Sequence, residues 1–153
     1  PDLAKAEQGA YVTTTGAFPG PPLPSGPDKD WIAAIGVKKD DGGIGGVLLT
    51  GWTYRRFAYH LQEQLRHDLE QKQQNGKIPI LYVMVFDKSG AYGARDTPPV
   101  NEKAIADLDP VGKTAQGAAE GSLSITDRDF GWVAVRVPKL GPEIGLAVLR
   151  SEL

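Results

Sequence analysis

The sequence IPILYVMVFD at residues 78–87, followed at once by the turn at residues 88–90, gives the strongest strand signal in the chain. Its β-branched, aromatic and aliphatic residues suit a pleated surface that is mostly buried. Lys88, Ser89 and Gly90 favour a tight turn, which predicts a hairpin with AYGAR at residues 91–95. Further apolar segments follow this hairpin: SLSIT at 122–126, FGWVAVRV at 130–137 and IGLAVLR at 144–150. Residues 78–150 therefore predict a mainly antiparallel sheet, with residues 80–87 and 130–137 as interior strands.

The segment before this sheet has the periodicity of a helix. Apolar residues recur at helical spacing and form one stripe: Tyr54, Phe57, Ala58, Leu61, Leu65 and Leu69. Charged residues fall on the opposite side: Arg55, Glu63, Arg66 and Glu70. Thr53 is the predicted N-cap, and Asn75 with Gly76 forms the predicted stop. The pattern predicts one long amphipathic helix over residues 54–75.

Outward from the helix, the first third of the chain reads as a strand meander. A first strand is predicted at residues 9–18, and a hairpin joins residues 31–37 to 46–53 across a turn containing Gly42 and Gly43. The proline-rich segment at 19–27 predicts a surface loop. A short helix is also expected at residues 101–108, with Asn101 near its cap and Pro110 beyond its end.

Length and composition limit the classes of function. The chain has 153 residues, about the size of one domain, and a net charge of −2, which offers no cationic surplus for nucleic acid. The absence of cysteine excludes disulfides, thiolate zinc sites and iron–sulfur clusters. No apolar run reaches the length of a membrane span.

The order of elements favours an α+β fold, because no parallel strand–helix–strand repeat is required. We expect residues 1–153 to form a single domain. Within it, residues 10–53 form the meander, 54–75 the long helix and 78–150 the sheet-rich core.

Particular segments resemble the Cache family of sensor domains. These are GVLLTGWT at residues 46–53, the helix that follows, and LYVMVFDKSG at 81–90, a strand ending in the pattern D-x-x-G. The segments at 132–138 and 144–149 look like the last two strands of that family, so the resemblance covers residues 31–150. It implies a PAS-like antiparallel sheet that binds a small molecule outside the membrane, in a histidine kinase, chemoreceptor or related signalling protein.

The resemblance names no ligand, because the family's spaced Tyr, Arg, Trp and Asp pattern for amino acids is absent. The region before the long helix is also too short for a complete two-lobed member of the family. A cytosolic PAS-type domain is the neighbouring alternative.

Side-chain alternation divides the strands of residues 78–150 into two faces. One face is aliphatic and suits packing against the long helix: Leu81, Val83, Val85, Leu123, Ile125, Val133, Val135 and Val137. The other mixes aromatic and polar residues: Tyr82, Met84, Ser124, Trp132 and Arg136. An unpaired buried guanidinium is very costly, so we expect this mixed face to meet water or a ligand.

A ligand pocket on the mixed face would have Arg136 as charge anchor, with Trp132 and Tyr82 as walls. Tyr92 and Arg95 are secondary candidates, because loops over this face start near them. The predicted ligand-binding residues are thus Tyr82, Met84, Tyr92, Arg95, Trp132 and Arg136. The alternative is an ordinary solvated sheet face.

No catalytic residue, metal site or cofactor is predicted. The sequence contains neither G-x-S-x-G nor H-E-x-x-H. Asp87 is expected to stabilise the turn that contains Gly90 through an Asx-type side-chain hydrogen bond. His60 and His67 are seven residues apart, whereas metal-binding pairs on a helix are usually three or four apart. We therefore expect a binding protein and not an enzyme.

The expected partner is a small polar or anionic metabolite. Because the chain starts at Pro1 without Met and has Cache-like segments, we expect an extracytoplasmic, periplasmic domain. Its tether to the inner membrane would lie outside this fragment. A structural dimerisation module is the alternative, with a homodimer formed through the long helix.

Overall fold

The computed structural model describes residues 1–21, 24, 26–72 and 76–152 and has the predicted α+β architecture. Its elements in chain order are α1 (Leu3–Glu7), β1 (Tyr11–Ala17), β2 (Lys29–Lys38), β3 (Ile44–Thr53), α2 (Tyr54–Lys72), β4 (Ile80–Asp87), β5 (Gly90–Gly93), α3 (Pro99–Asp107), α4 (Pro110–Lys113), β6 (Ala119–Ile125), β7 (Arg128–Arg136) and β8 (Gly145–Ser151). The described strands pair antiparallel, as predicted, but they form two separate sheets where the sequence predicted one mainly antiparallel sheet.

The larger sheet has five strands in the order β5-β4-β8-β7-β6. Strand β4 lies between β5 and β8, and β7 lies between β8 and β6, so both predicted interior strands are confirmed. The register pairs Met84 with Ala147 and Trp132 with Leu149, which puts these four side chains on the same face.

The smaller sheet is the predicted meander, in the order β1-β2-β3. Its hairpin is longer than predicted, because pairing begins at Asp30 with Thr53 and continues past a register shift between Val37 and Lys38. Helix α1 was not predicted. It spans one turn and a half, with Asp2 as its N-cap and Ala6 buried against the sheet. Part of the predicted loop at 19–27, namely Pro22, Leu23 and Ser25, lies outside the described residues.

Helix α2 is the longest of the described helices, as predicted, and residues 73–75 of the predicted range lie outside the described chain. Its buried side differs from the predicted leucine stripe, because Arg55 and Gln62 are buried while Leu65 is exposed. Gln62 accepts a hydrogen bond from the Val83 amide at 3.0 Å and donates one to Asp96 at 3.2 Å. These hydrogen bonds fix the rotation of α2 about its axis, so that the side facing β4 and β5 differs from the one that apolar periodicity alone predicts.

The face that carries Met84 and Trp132 is a core, which corrects the sequence prediction. Met84 and Trp132 are buried there with Phe130, Ile105 of α3 and Val111 of α4. On β6 the two predicted faces are exchanged, because Leu123 and Ile125 pack in this core while Ser124 is exposed. The aliphatic face was also predicted incompletely, because α2 covers β4 and β5 and leaves Val133 and Val135 of β7 exposed.

Helix α3 begins earlier than the predicted helix at 101–108. Pro98 occupies the N-cap position without a side-chain hydrogen bond, and Asn101 is buried inside the helix instead of capping it. Pro99 fixes the backbone of the first turn, where a missing N–H costs nothing. Pro110 follows α3, as predicted, and opens α4.

A polar network joins the two sheets and the start of α2. Lys29 of β2 forms an ion pair with Asp87 of β4, and the Tyr54 hydroxyl donates to the same carboxylate at 2.8 Å. The Ser89 amide also donates to Asp87 at 2.7 Å, which confirms the predicted Asx-type turn. Tyr92 approaches the Ser89 hydroxyl at 2.8 Å.

The network shifts the pKa values of two of its members. Burial alone would raise the pKa of Asp87, but hydrogen bonds from Lys29, Ser89 and Tyr54 together hold it below its ordinary value of 3.8. Burial, and then the hydrogen bond to Asp87, raise the pKa of Tyr54 above its ordinary value of 10.0. Tyr54 is therefore a protonated donor and Asp87 a charged acceptor at neutral pH.

We expect Asp87→Asn to lower the free energy of unfolding at pH 7 by about 1–3 kcal/mol, because Lys29 loses its charged acceptor. Because the pKa of Asp87 is lower in the folded protein than in the unfolded chain, where it is about 3.9, the charged carboxylate stabilises the fold at pH values above about 3.9. That stabilisation is lost as the pH falls through the folded-state pKa. Urea unfolding at pH 7 and pH 3 should therefore show the wild type and the variant approaching each other at pH 3. Asp40→Asn, in the exposed β2–β3 turn, is the control. If Asp87→Asn lowered the free energy of unfolding by the same amount at both pH values, the result would contradict the role of Asp87 as a charged acceptor.

Candidate functional site

The structure places the six predicted site residues in several separate locations. Met84 and Trp132 are enclosed in the core between the larger sheet and helices α3 and α4. Tyr82 packs against the same core, with its ring 6.4 Å from the ring of Phe130. These three side chains have structural contacts on the face where a pocket was predicted.

Arg136 lies at the end of β7 and is held by backbone carbonyls and a hydroxyl. It donates to the Val111 carbonyl at 2.6 Å, to Thr114 Oγ1 at 3.3 Å and to the Pro142 carbonyl at 3.4 Å. It lines an open cleft of about 460 Å³, whose charged side chains are Asp87, Lys88, Asp109, Arg136 and Glu143. Carboxylates outnumber cations in this cleft, which disfavours an anionic ligand beside Arg136.

Tyr92 and Arg95 lie at different places after the β4–β5 hairpin. Tyr92 packs edge-on against Tyr54, with ring centroids 5.4 Å apart, and belongs to the polar network. Arg95 is exposed in the turn that follows β5. Of the six predicted residues, Arg95 is the one that faces the cleft at the start of α2.

We call that cleft the arginine cleft. It has a volume of about 480 Å³ and is lined by two aromatic rings, three arginines and two smaller polar residues: Phe18, Asp28, Thr53, Arg55, Arg56, Tyr59 and Arg95. The volume lies within the range of about 300–1,000 Å³ that small-molecule sites have.

Arg55 forms the fixed inner part of the arginine cleft. It is buried and forms an ion pair with Glu102 of α3. It also donates to the Pro27 carbonyl at 3.0 Å and to the Gly93 carbonyl at 3.1 Å, while the Gly93 amide donates to Glu102 at 2.9 Å. Because Glu102 neutralises Arg55, this guanidinium adds little net charge to the cleft.

The first turn of α2 is capped from two sides. Thr53 Oγ1 accepts from the Arg56 amide at 3.2 Å, as predicted for the N-cap. The Asp28 carboxylate accepts from the Arg55 amide at 3.1 Å and from the Lys29 amide at 2.8 Å. Asp28, the one carboxylate among the lining residues, is therefore already engaged by two backbone donors.

Two arginines remain with their charge directed at solvent. Arg56 and Arg95 are exposed, and within the described residues neither guanidinium makes a hydrogen bond or an ion pair. Arg56 lies in the first helical turn, where no acidic residue is present and where a cation opposes the helix dipole. The side chains of Phe18 and Tyr59 lie partly exposed in the same cleft and supply apolar surface.

Sequence reasoning missed Phe18, Arg56 and Tyr59. A usable signal was present: two consecutive arginines in the predicted first turn of a helix conflict with the dipole and require a compensating anion. Glu102 compensates Arg55, but its position could not be inferred because it lies 47 residues along the chain.

A metal site is not formed in the described part of the chain, where no three His, Cys, Asp or Glu side chains cluster suitably. His60 instead packs edge-on against Trp52, with ring centroids 5.2 Å apart. None of the described helices combines the length and apolar character needed to cross a bilayer.

Searches against family models, curated proteins and solved structures find no match to this chain. The resemblance to Cache sensor domains therefore stays a prediction.

We expect Glu102→Gln to lower the free energy of unfolding by about 3–5 kcal/mol, because it leaves the buried Arg55 charge without its partner. Lys103→Gln on the same helix is the matched control. It removes an exposed ion pair with Asp107 and should cost about 0.5 kcal/mol or less. Urea unfolding measures both values, and equal effects would contradict the role assigned to the buried pair.

Proposed function

We propose that this chain is the ligand-sensing domain of a signalling receptor and that it binds a small organic anion in the arginine cleft. The observation that carries the proposal is the pair of exposed guanidinium groups, Arg56 and Arg95, which share one cleft without an acidic partner. Guanidinium groups bind carboxylates through paired, charge-assisted hydrogen bonds.

The aromatic residues indicate the second part of the ligand. Phe18 and Tyr59 line the same cleft as the two arginines, so the cleft suits a molecule with an acidic group and a short apolar or planar portion. A fully hydrated inorganic anion would use the arginines and leave both rings unused.

The chemistry of the cleft favours binding over catalysis. Its carboxylate, Asp28, is held by two backbone amides, and its aliphatic hydroxyl, that of Thr53, accepts from the helix backbone. Neither group is arranged as a nucleophile beside a base. The α+β fold, with a five-stranded antiparallel sheet and a long helix, agrees with a PAS-like sensor.

We expect an organic carboxylate to raise the melting temperature in a screen of acetate, succinate, benzoate and inorganic phosphate. At one hundred times the dissociation constant, the stabilisation is about 2.7 kcal/mol, worth several degrees in a domain of this size. Arg56→Gln and Arg95→Gln should each weaken binding of the carboxylate at least tenfold. Added salt should weaken it too, because the arginines are exposed.

Arg128→Gln is the matched control, since Arg128 is exposed at the start of β7 and does not line the arginine cleft. It should leave both the melting temperature and the affinity unchanged. A carboxylate whose affinity survives Arg56→Gln and Arg95→Gln but falls on Arg136→Gln would move the ligand to the cleft beside Arg136 and overturn this site.

We also propose that the domain is extracytoplasmic and tethered to the inner membrane in a longer receptor. The Cache-like segments support this location. The full-length gene should encode a membrane-spanning segment and a kinase or chemotaxis signalling domain. A reading frame that encodes a free-standing cytosolic protein would contradict it.

A further inference from the structure

Strand β3 is an unprotected edge of the smaller sheet. It pairs with β2 on one side, and within the described residues no strand pairs with its other side. Every second backbone N–H and C=O along that side is therefore available to another strand.

The other sheet edges are short, charged or screened. Strand β5 has four residues and packs against α3, and β6 carries Glu120. Strand β1 is polar, and Thr13, Thr14 and Thr15 share a cleft with the loop at residues 141–144. Strand β3, in contrast, has ten residues, IGGVLLTGWT, with no charge and no proline. A register shift at Gly45 and contact with α1 modify the start of β3, but from Gly46 to Thr53 neither a charge nor a proline blocks strand addition.

The two faces of β3 both carry exposed leucines. Leu48 is 60% exposed and Leu49 is 53% exposed, and as consecutive strand residues they point to opposite faces. Ile35, directly opposite Leu48 on β2, is exposed as well. Apolar residues on both faces are typical of an interior strand, so the pattern fits a strand whose free edge is paired in the functional protein.

We propose that β3 pairs antiparallel with β3 of a second copy of this chain, so that two three-stranded sheets become one sheet of six strands. A two-fold axis uses the same edge on both copies and leaves no further open edge at this position. With Leu48 opposite Leu48 of the second copy, the leucines become cross-strand neighbours.

Charge distribution agrees with this pairing. The uncharged strand brings no like charges together. The antiparallel order also brings residues 38–41 of each copy towards the start of α2 in the other copy. With two lysines and two aspartates this segment has no net charge, so it does not repel the exposed Arg56.

Sedimentation equilibrium and cysteine cross-linking test the proposal. The wild-type chain should be a dimer at micromolar concentration, and Leu48→Lys should raise its dissociation constant at least tenfold by placing two ammonium groups opposite each other. Because the chain has no cysteine, Leu48→Cys introduces a single thiol, which should give a disulfide-linked dimer on mild oxidation. Val133→Cys is the matched control, since Val133 is 45% exposed on the interior strand β7 and should not cross-link.

A wild-type chain that stays monomeric at several hundred micromolar would overturn the proposal. A dimer that is weakened by Leu65→Lys on α2, while Leu48→Lys leaves it intact and Leu48→Cys does not cross-link, would overturn it in favour of the helix interface. Circular dichroism of each variant establishes that the fold is retained. The Leu48→Cys result applies if Leu48→Lys fails to fold.

Discussion

The buried ion pair between Arg55 and Glu102 is the interaction on which the arrangement of the candidate site depends. It joins the first turn of α2 to α3, and both members also bond the backbone of Gly93 at the end of β5. Burying two charges is costly unless their remaining donors and acceptors are satisfied. Here the Pro27 carbonyl takes a further Arg55 donor, so the guanidinium is fixed in one orientation.

The neighbouring residue in the sequence fixes the other side of the helix start. Tyr54 points into the network around Asp87, which connects the larger sheet to Lys29 of the smaller one. Consecutive helical residues point about 100° apart, so Tyr54 and Arg55 bind different parts of the molecule. Arg56, the next residue, is consequently directed to solvent at the mouth of the arginine cleft.

The parts of the fold that could be predicted are those with a local pattern. Apolar strands at 80–87 and 130–137 and the helix from residue 54 follow from composition and periodicity alone. Whether a given sheet face is buried or exposed does not follow from them, because it depends on which distant segment covers that face. Trp132 is buried because residues 99–113 fold over its face of the larger sheet. Val133 lies on the opposite face and is exposed because α2 packs against the β4 and β5 part of that face and not against β7.

The candidate site was predictable to the same limited extent. Arg95 could be proposed from its place after a hairpin, whereas the surroundings of Arg136 could not be predicted because its carbonyl partners come from α4 and the loop before β8. Pairing between distant residues decides which arginine is neutralised by the fold and which remains available. Arg56 and Arg55 are adjacent and chemically identical, and the positions of Glu102, Pro27 and Gly93 around Arg55 separate their roles.

The connection between β3 and α2 links the two proposed surfaces. Strand β3 ends at Thr53 and α2 begins at Tyr54, so no flexible residue separates the exposed edge from the arginine cleft. Thr53 lines the cleft and caps the helix while still pairing with Asp30 in the sheet. A strand added to β3 and an anion bound beside Arg56 would therefore act on one continuous segment of backbone. The two remain separable by mutation, because Leu48 lies in the middle of the strand and Arg95 lies on a different element.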